Sequence, residues 1–347
     1  MNRAFQPAVA HGEVDSAPFR ELPPETWSDD LHRVHSLIEA LVDRYAFDIL
    51  REVGAGVVHP SRVSALEWLS ARLAARGHGE PLWSKDELAR AAADEDRLAG
   101  PTFALLDRVA RAWPAYLRGE RSGERVLFDR EALGLWQAYF SNENLPYAVV
   151  NRLGAWAAAR ETDAPALRVL EVGAGCGSGT EALLDQVASR VREYWFTELS
   201  PSFLRRGQEL VSRRFPGVPV VFRRTDLDLP LAEQGVPLGG FDLVYAVNTL
   251  HAVKDIRASL AELRSALVPG GVLALVEGVR SDPGRPVAIE FVFVLAPEFR
   301  GFLHWPRWRE LLEESGYARV RYVPDLAAAT RAIPTYAMAA ILARRPE

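Results

Sequence analysis

Residues 169–179 read Val-Leu-Glu-Val-Gly-Ala-Gly-Cys-Gly-Ser-Gly, and no other stretch constrains the fold so strongly. Val169, Leu170 and Val172 make a short apolar run suited to a strand buried in a parallel sheet. Glycines at 173, 175, 177 and 179 then remove every second side chain, which lets backbone come close to a ligand. Thr180 to Val187 return to helical spacing, so the loop delivers its ligand to a helix N-terminus. A dinucleotide fingerprint, G-x-G-x-x-G, would need a third glycine at 178 or 180, and those positions are Ser178 and Thr180. That disfavours a nicotinamide-dependent oxidoreductase.

Four further apolar runs follow, and each ends on polar residues. Tyr194 to Thr197 lead into Glu198, a carboxylate placed to accept both hydroxyls of a ribose. Ser200 and Pro201 then read as the N-cap and first turn of a helix. Val220 to Phe222, entered through Pro219, run into Thr225-Asp226-Leu227-Asp228, where Asp226 can accept from an adenine amino group and Leu227 lies beside it. Phe241 to Val247 end in Asn248-Thr249-Leu250-His251. A turn, Leu267 to Gly271, leads to Val272–Val276, which ends in Glu277. Open α/β sheets bind ligands at the carboxyl ends of their strands, so these endings belong to one site.

The loop pattern E-x-G-x-G-x-G, with Glu171 at its head, resembles motif I of the class I S-adenosylmethionine (SAM) methyltransferases. Residues 137–277 are similar, more narrowly, to the methyltransferase domains of polyketide synthases and nonribosomal peptide synthetases and their free-standing relatives. The segments that carry the likeness are LEVGAGCGSGT from Leu170, FTELSPSFL from Phe196, TDLD from Thr225 with Ala232-Glu233-Gln234-Gly235, FDLVYAVNTLHA from Phe241, and LVPGGVLALVE from Leu267. The resemblance implies a Rossmann-like α/β sheet of seven mostly parallel strands with an N-terminal helical lid. It implies SAM as cofactor, held by Glu171, Gly173, Ala174, Gly175, Gly177, Glu198, Leu199, Asp226, Leu227, Asn248 and Thr249, with Tyr139 and Ser141 closing over its methionine end. In that family a His after strand four and a Glu ending strand five form the catalytic pair, which here are His251 and Glu277. The family's multidomain members often carry Gly-Trp-Trp near the acceptor, where this chain has Phe302-Leu303-His304-Trp305-Pro306.

The implied chemistry is displacement at a sulfonium-bound methyl group. Its leaving group is already activated, so the protein must chiefly align the acceptor and take a proton. Imidazole suits proton removal near neutral pH, and a carboxylate on its second nitrogen fixes the tautomer. If Glu277 only orients and stabilises the imidazole, exchanging it for Gln should cost less than losing His251. The expected acceptor is a hydroxyl or enol of a polyketide-like intermediate, free or bound to a carrier protein. The alternatives are C-methylation of a β-keto acyl group and a noncatalytic partner protein; a partner protein need not keep both His251 and Glu277. No Asn/Asp-Pro-Pro-aromatic motif follows strand four, which argues against amino groups of nucleic acids, and no Asp/His/Glu cluster suggests a metal.

A chain of 347 residues can bury a large core, and its net charge of −5 argues against general nucleic-acid binding. The single cysteine excludes a disulfide framework within the chain and fits a cytoplasmic setting. No continuous apolar stretch suggests a signal peptide or a membrane span. The basic residues are arginine except for Lys85 and Lys254.

Ahead of the glycine loop, helical patterns dominate. Leu31, Val34, Ile38, Leu41, Tyr45 and Ile49 form one stripe, and Val63, Leu66, Leu69 and Leu73 a second. Ser84 to Glu87 read as a capping box. Phe103 to Leu117 read as a helix broken at Pro114. The expected division is a flexible segment over 1–27, a helical lid over 28–140 and a SAM-binding catalytic domain over 141–347.

Overall fold

The structure, a computed structural model, describes residues 5–7, 14–54, 56–77, 79–297 and 299–347. In chain order its helices and strands are α1 Asp29–Val53, α2 Val63–Ala74, α3 Lys85–Asp94, α4 Asp96–Leu117, α5 Gly123–Leu127, α6 Arg130–Tyr139 and α7 Leu145–Glu161. There follow β1 Leu167–Val172, α8 Ser178–Val187, β2 Val191–Glu198, α9 Pro201–Arg214, β3 Val220–Arg224 and β4 Phe241–Val247. The chain continues with α10 Ile256–Ala266, β5 Leu267–Gly278, α11 Glu290–Phe293, α12 Trp305–Glu314, β6 Ala318–Val323, α13 Leu326–Ala332 and β7 Met338–Arg344. These fall into two compact units: a helical one of residues 1–16, 27–147 and 280–302, and a sheet unit of 17–26, 148–279 and 303–347.

In the helical unit α1 begins where the Ser28 hydroxyl accepts the Leu31 N–H, and all six residues of its expected stripe are buried. The second stripe turns out rotated. Leu69 and Leu73 are buried as expected and Leu66 partly so, but Val63 is exposed, and Ala65, Trp68 and Arg72 complete the buried face. Arg72 sets this rotation by pairing with Glu39 at 2.8 Å and Asp43 at 2.7 Å, because a buried guanidinium requires carboxylate partners. The capping box is present, with Ser84 Oγ accepting the Glu87 N–H and Glu87 accepting the Ser84 N–H. Pro114 does not break α4; it lies within the helix, and the irregularity falls at Ala99, just before Gly100 and Pro101. Proline is well tolerated in a first helical turn, so Pro101 opens the regular part of α4.

The segment 280–302 was expected with the sheet domain, yet it packs into the helical unit. The Glu290 carboxylate explains this. Fully buried, it accepts from Trp68 Nε1 at 3.0 Å, from Arg280 Nε and Nη2 at 2.9 Å each, and from the N–H groups of Phe302 and Val287. Phe291 stacks on Trp113 with centroids 5.3 Å apart.

The sheet of the second unit runs β3-β2-β1-β4-β5-β7-β6, and β7 is antiparallel to both its neighbours. The chain moves outward from β1 through β2 to β3, then returns to add β4 and β5 on the other side of β1. Its switch point therefore lies between β1 and β4, where a ligand crevice opens at the strands' carboxyl ends. β1 and β4 are buried along nearly their whole length, which accounts for the apolar runs Val169-Leu170 and Leu243–Val247. Leu267 to Gly271, expected as a turn, lie within β5: Leu267 opposes Phe241, and the register shifts before Leu243 meets Val272.

The expected flexible segment 1–27 lies outside the described residues at 1–4 and 8–13. Its later part is anchored in the sheet unit. Phe19 is 3% exposed with its ring 5.4 Å from that of Tyr336, and Leu22 is buried as well. Phe19→Ala should therefore lower unfolding free energy by about 3 kcal/mol, the low end for a buried phenylalanine. Urea denaturation measures it, and a change below about 0.5 kcal/mol, typical of surface sites, would show that the ring is not held.

Candidate active site

The glycine loop leaves β1 and enters α8 at Gly177, which has φ +91°. Gly173 admits no side chain: at φ +62°, its Cβ would lie 2.4 Å from Thr249 Cγ2. The β4 end can press against the loop only because that side chain is missing. Ala174 N–H donates to the Thr197 carbonyl at 2.9 Å, tying the loop to β2. A Cβ at Gly175 would meet nothing within 4 Å, so the loop lies beside open space at its middle glycine.

Glu198 holds this loop in place. Its Oε2 accepts the Gly175 N–H at 2.9 Å and its Oε1 accepts the Ser200 N–H at 2.7 Å. A carboxylate has about four acceptor positions, so two bonds leave capacity for a ligand's hydroxyls. Leu199 is half-exposed and gives its carbonyl to Arg224 Nε. The Glu198 carbonyl accepts the Thr225 N–H, which places Asp226 beside Glu198 at neighbouring strand ends. The Asp226 carboxylate accepts the Asp228 N–H at 2.9 Å, and the Leu227 carbonyl accepts Ser259 Oγ at 3.2 Å.

Glu171 faces inward. It is 1% exposed and accepts from the hydroxyls of Thr180 and Tyr194, the latter at 2.6 Å. Burial pushes its carboxyl up to about 7 despite those two donors. Its place is behind the loop, where it joins β1 to α8 and β2. Cys176 is half-buried, and burial raises its thiol to about 11, away from thiolate reactivity.

The β4 and β5 ends build a hydrogen-bonded polar group around Glu277. Asn248 has φ +49°, a conformation asparagine tolerates better than most residues, and its N–H reaches the Val276 carbonyl at 2.7 Å. Glu277 is fully buried. Its Oε1 accepts the N–H groups of Thr249 at 3.0 Å and Leu250 at 2.7 Å, while its Oε2 lies 2.7 Å from His251 Nδ1. A carboxylate oxygen accepts, so Nδ1 donates to Glu277 Oε2 and in the neutral ring Nε2 carries the lone pair. The His251 side chain keeps 12% of its exposure.

Tyr139 and Ser141 belong to the helical unit. The Tyr139 ring packs among Trp136, Phe140 and Tyr147, and burial holds its phenol well above the usual range. The Ser141 hydroxyl accepts the Glu143 N–H at 3.0 Å. Sequence reasoning passed over Asn144, fully buried between Tyr139 and Thr102, and Gln234, which organises the loop after β3. An amide followed by glycine at Gln234-Gly235 was the available signal for the second. Among the described residues, no group of His, Cys, Asp or Glu could hold a metal, and no helix is long and apolar enough to cross a membrane.

Residues 170–273 match the family model of a methyltransferase domain. The chain is 31% identical over 267 residues to the reducing polyketide synthase Preu2 of Preussia isomera, covering 72% of this chain and 11% of that synthase. It therefore spans about a tenth of the length of the curated relatives it matches. Among solved structures it is similar to the CurJ carbon methyltransferase, at 21% identity and a TM-score of 0.71 over 90% of this chain and 92% of that one. It is also similar to the trans-methyltransferase CalH in complex with S-adenosylhomocysteine, at 22% identity and a TM-score of 0.65 over 90% and 91%. The fold is that of the class I methyltransferases. With the domain match, the chain is a SAM-dependent methyltransferase that resembles the methyltransferase domains of polyketide synthases.

Proposed function

We propose that this methyltransferase alkylates the α-carbon of a β-keto acyl group carried as a thioester on a carrier protein, with His251 as the base. The observation that carries the reading is the Glu277–His251 pair at 2.7 Å, with Glu277 itself held by the N–H groups of Thr249 and Leu250. A carbon between two carbonyls loses a proton readily to imidazole, and the resulting enolate is a carbon nucleophile. An oxygen acceptor was the first expectation from sequence. The carbon reading is preferred because similar solved chains are named carbon methyltransferases and the relatives are named polyketide synthases.

The cofactor's residues fit their task. The loop from Gly173 to Gly177 has open space at Gly175, Glu198 retains acceptor capacity for ribose hydroxyls, and Asp226 stands next to it for the adenine. When bound, SAM supplies an electrophilic methyl group on an activated sulfonium. The chain's share is alignment by the loop and the β4 end, and proton removal at His251 Nε2 with Glu277 stabilising the charged ring.

Two measurements test this. Incubating the protein with SAM and a β-ketoacyl carrier protein should add one methyl group, with NMR of the released acyl chain placing it on carbon. A methyl on oxygen would replace the carbon assignment. Glu198→Ala should weaken SAM binding about tenfold or more, because charge-assisted hydrogen bonds to the ribose are lost together with the anchor of the Gly175 N–H. Unchanged affinity by calorimetry would remove Glu198 from the cofactor site.

A further inference from the structure

The segment after β3 is folded around one side chain. Gln234 lies at the end of a 3-10 turn, Ala232–Gln234, closed by Gly235 at φ +75°. A Cβ on Gly235 would come within 2.4 Å of Arg223 Nη2, and Arg223 Nε donates to the Gln234 carbonyl at 2.7 Å. So fixed, the Gln234 amide turns back on Asp226. Its Oε1 accepts the Asp226 N–H at 2.7 Å and its Nε2 donates to the Asp226 carbonyl at 2.8 Å. The same Nε2 lies 3.1 Å from the Leu229 carbonyl and 3.3 Å from that of Pro230.

Asp226 stands two residues beyond β3, an edge strand, and among the described residues no strand pairs on that side; within the loop its carbonyl also accepts the Leu229 N–H at 3.2 Å. The Gln234 amide supplies both bonds that such a strand would give. A carboxylate can select a ligand's amino group only if its backbone is held, because freedom there moves the oxygens by more than hydrogen-bond tolerance. We propose that Gln234 is a positioning residue for cofactor recognition, holding Asp226 so that its carboxylate selects the 6-amino group of adenine. This rests on the reading of Asp226 as the adenine contact.

The readout is base preference, which a merely structural role would not move. S-adenosylhomocysteine offers a 6-amino donor, whereas S-inosylhomocysteine presents a 6-oxo acceptor that a carboxylate repels. Calorimetric affinities for both are measured on the wild-type chain, Asp226→Asn, Gln234→Ala and Gln234→Glu. The wild type should prefer the adenosyl ligand, and Gln234→Ala should cut that preference roughly fivefold or more, the worth of one or two hydrogen bonds. Gln234→Glu keeps the acceptor for the Asp226 N–H but loses the donor to its carbonyl, so it should retain part of the preference. If Gln234→Ala misfolds, this second variant still decides, because wild-type preference there overturns the proposal. Equal weakening of both ligands in Gln234→Ala also overturns it while Asp226→Asn still shifts the preference. Unchanged preference in Asp226→Asn overturns the adenine reading itself, and the role of Gln234 with it.

Discussion

His251→Ala leaves SAM affinity close to wild type and lowers methyl transfer by about 10²–10⁴, the usual contribution of general acid–base catalysis. The separation follows from where the groups stand. The cofactor loop is held by Glu198 and by Ala174's bond to β2, neither of which involves His251. The Thr249 and Leu250 N–H groups remain bound to Glu277 Oε1 in the variant, so the β4 end keeps its shape. Glu277 Oε2 loses its partner in a fully buried position, which should lower stability by about 1–3 kcal/mol. Activity is therefore compared at a temperature well below the variant's unfolding transition. Single-turnover methylation with the authentic acceptor is the measurement. Wild-type turnover in the variant would assign proton removal to another group and leave the cofactor site standing.

Much of the sheet was legible because its central strands obey one rule. β1 and β4 are buried along nearly their whole length, so Val169-Leu170 and Leu243–Val247 read as apolar runs whose ends could be placed closely. The pairing of His251 with Glu277 was expected from the resemblance, and the adjacency of β4 and β5 brings Glu277 to the segment that follows β4. What escaped depends on contacts between distant residues. Nothing local in the apolar run Phe291–Leu295 tells whether it packs on helices or on the sheet; Glu290 decides it by meeting Trp68, 222 residues away. Likewise α2 looks amphipathic along Val63 and Leu66, and only the carboxylates of Glu39 and Asp43 turn Arg72 inward. The division at 141–347 failed to place 280–302 for this reason, and Phe19 escaped because its partner, Tyr336, lies at the far end of the chain. Gln234 was visible only as part of a resemblance, since its role is a bond to backbone eight residues earlier.

Glu277→Gln should be as damaging as removal of the imidazole, about 10²–10⁴ in turnover, although orientation alone would suggest a smaller loss. The Thr249 and Leu250 N–H groups both donate to Oε1, at 3.0 and 2.7 Å, in a fully buried position. A glutamine there must choose which of its two ends faces them. Turning the amide NH2 toward two N–H donors leaves buried donors unpaired, at about 1–3 kcal/mol each. The amide oxygen therefore takes the backbone side, and the NH2 group faces His251 Nδ1. An NH2 donor at that nitrogen demands an acceptor, so the proton moves to Nε2. His251 then presents an N–H where it must present a lone pair, and it cannot take a proton from the acceptor. Nitrogen-15 NMR of the imidazole should report the exchanged tautomer, while calorimetry should find SAM binding nearly unchanged. A Glu277→Gln enzyme that turns over within about tenfold of wild type would show that His251 does not work through this tautomer. The same rate loss without a tautomer change would leave Glu277 the role of stabilising the ring's positive charge and not that of fixing its tautomer.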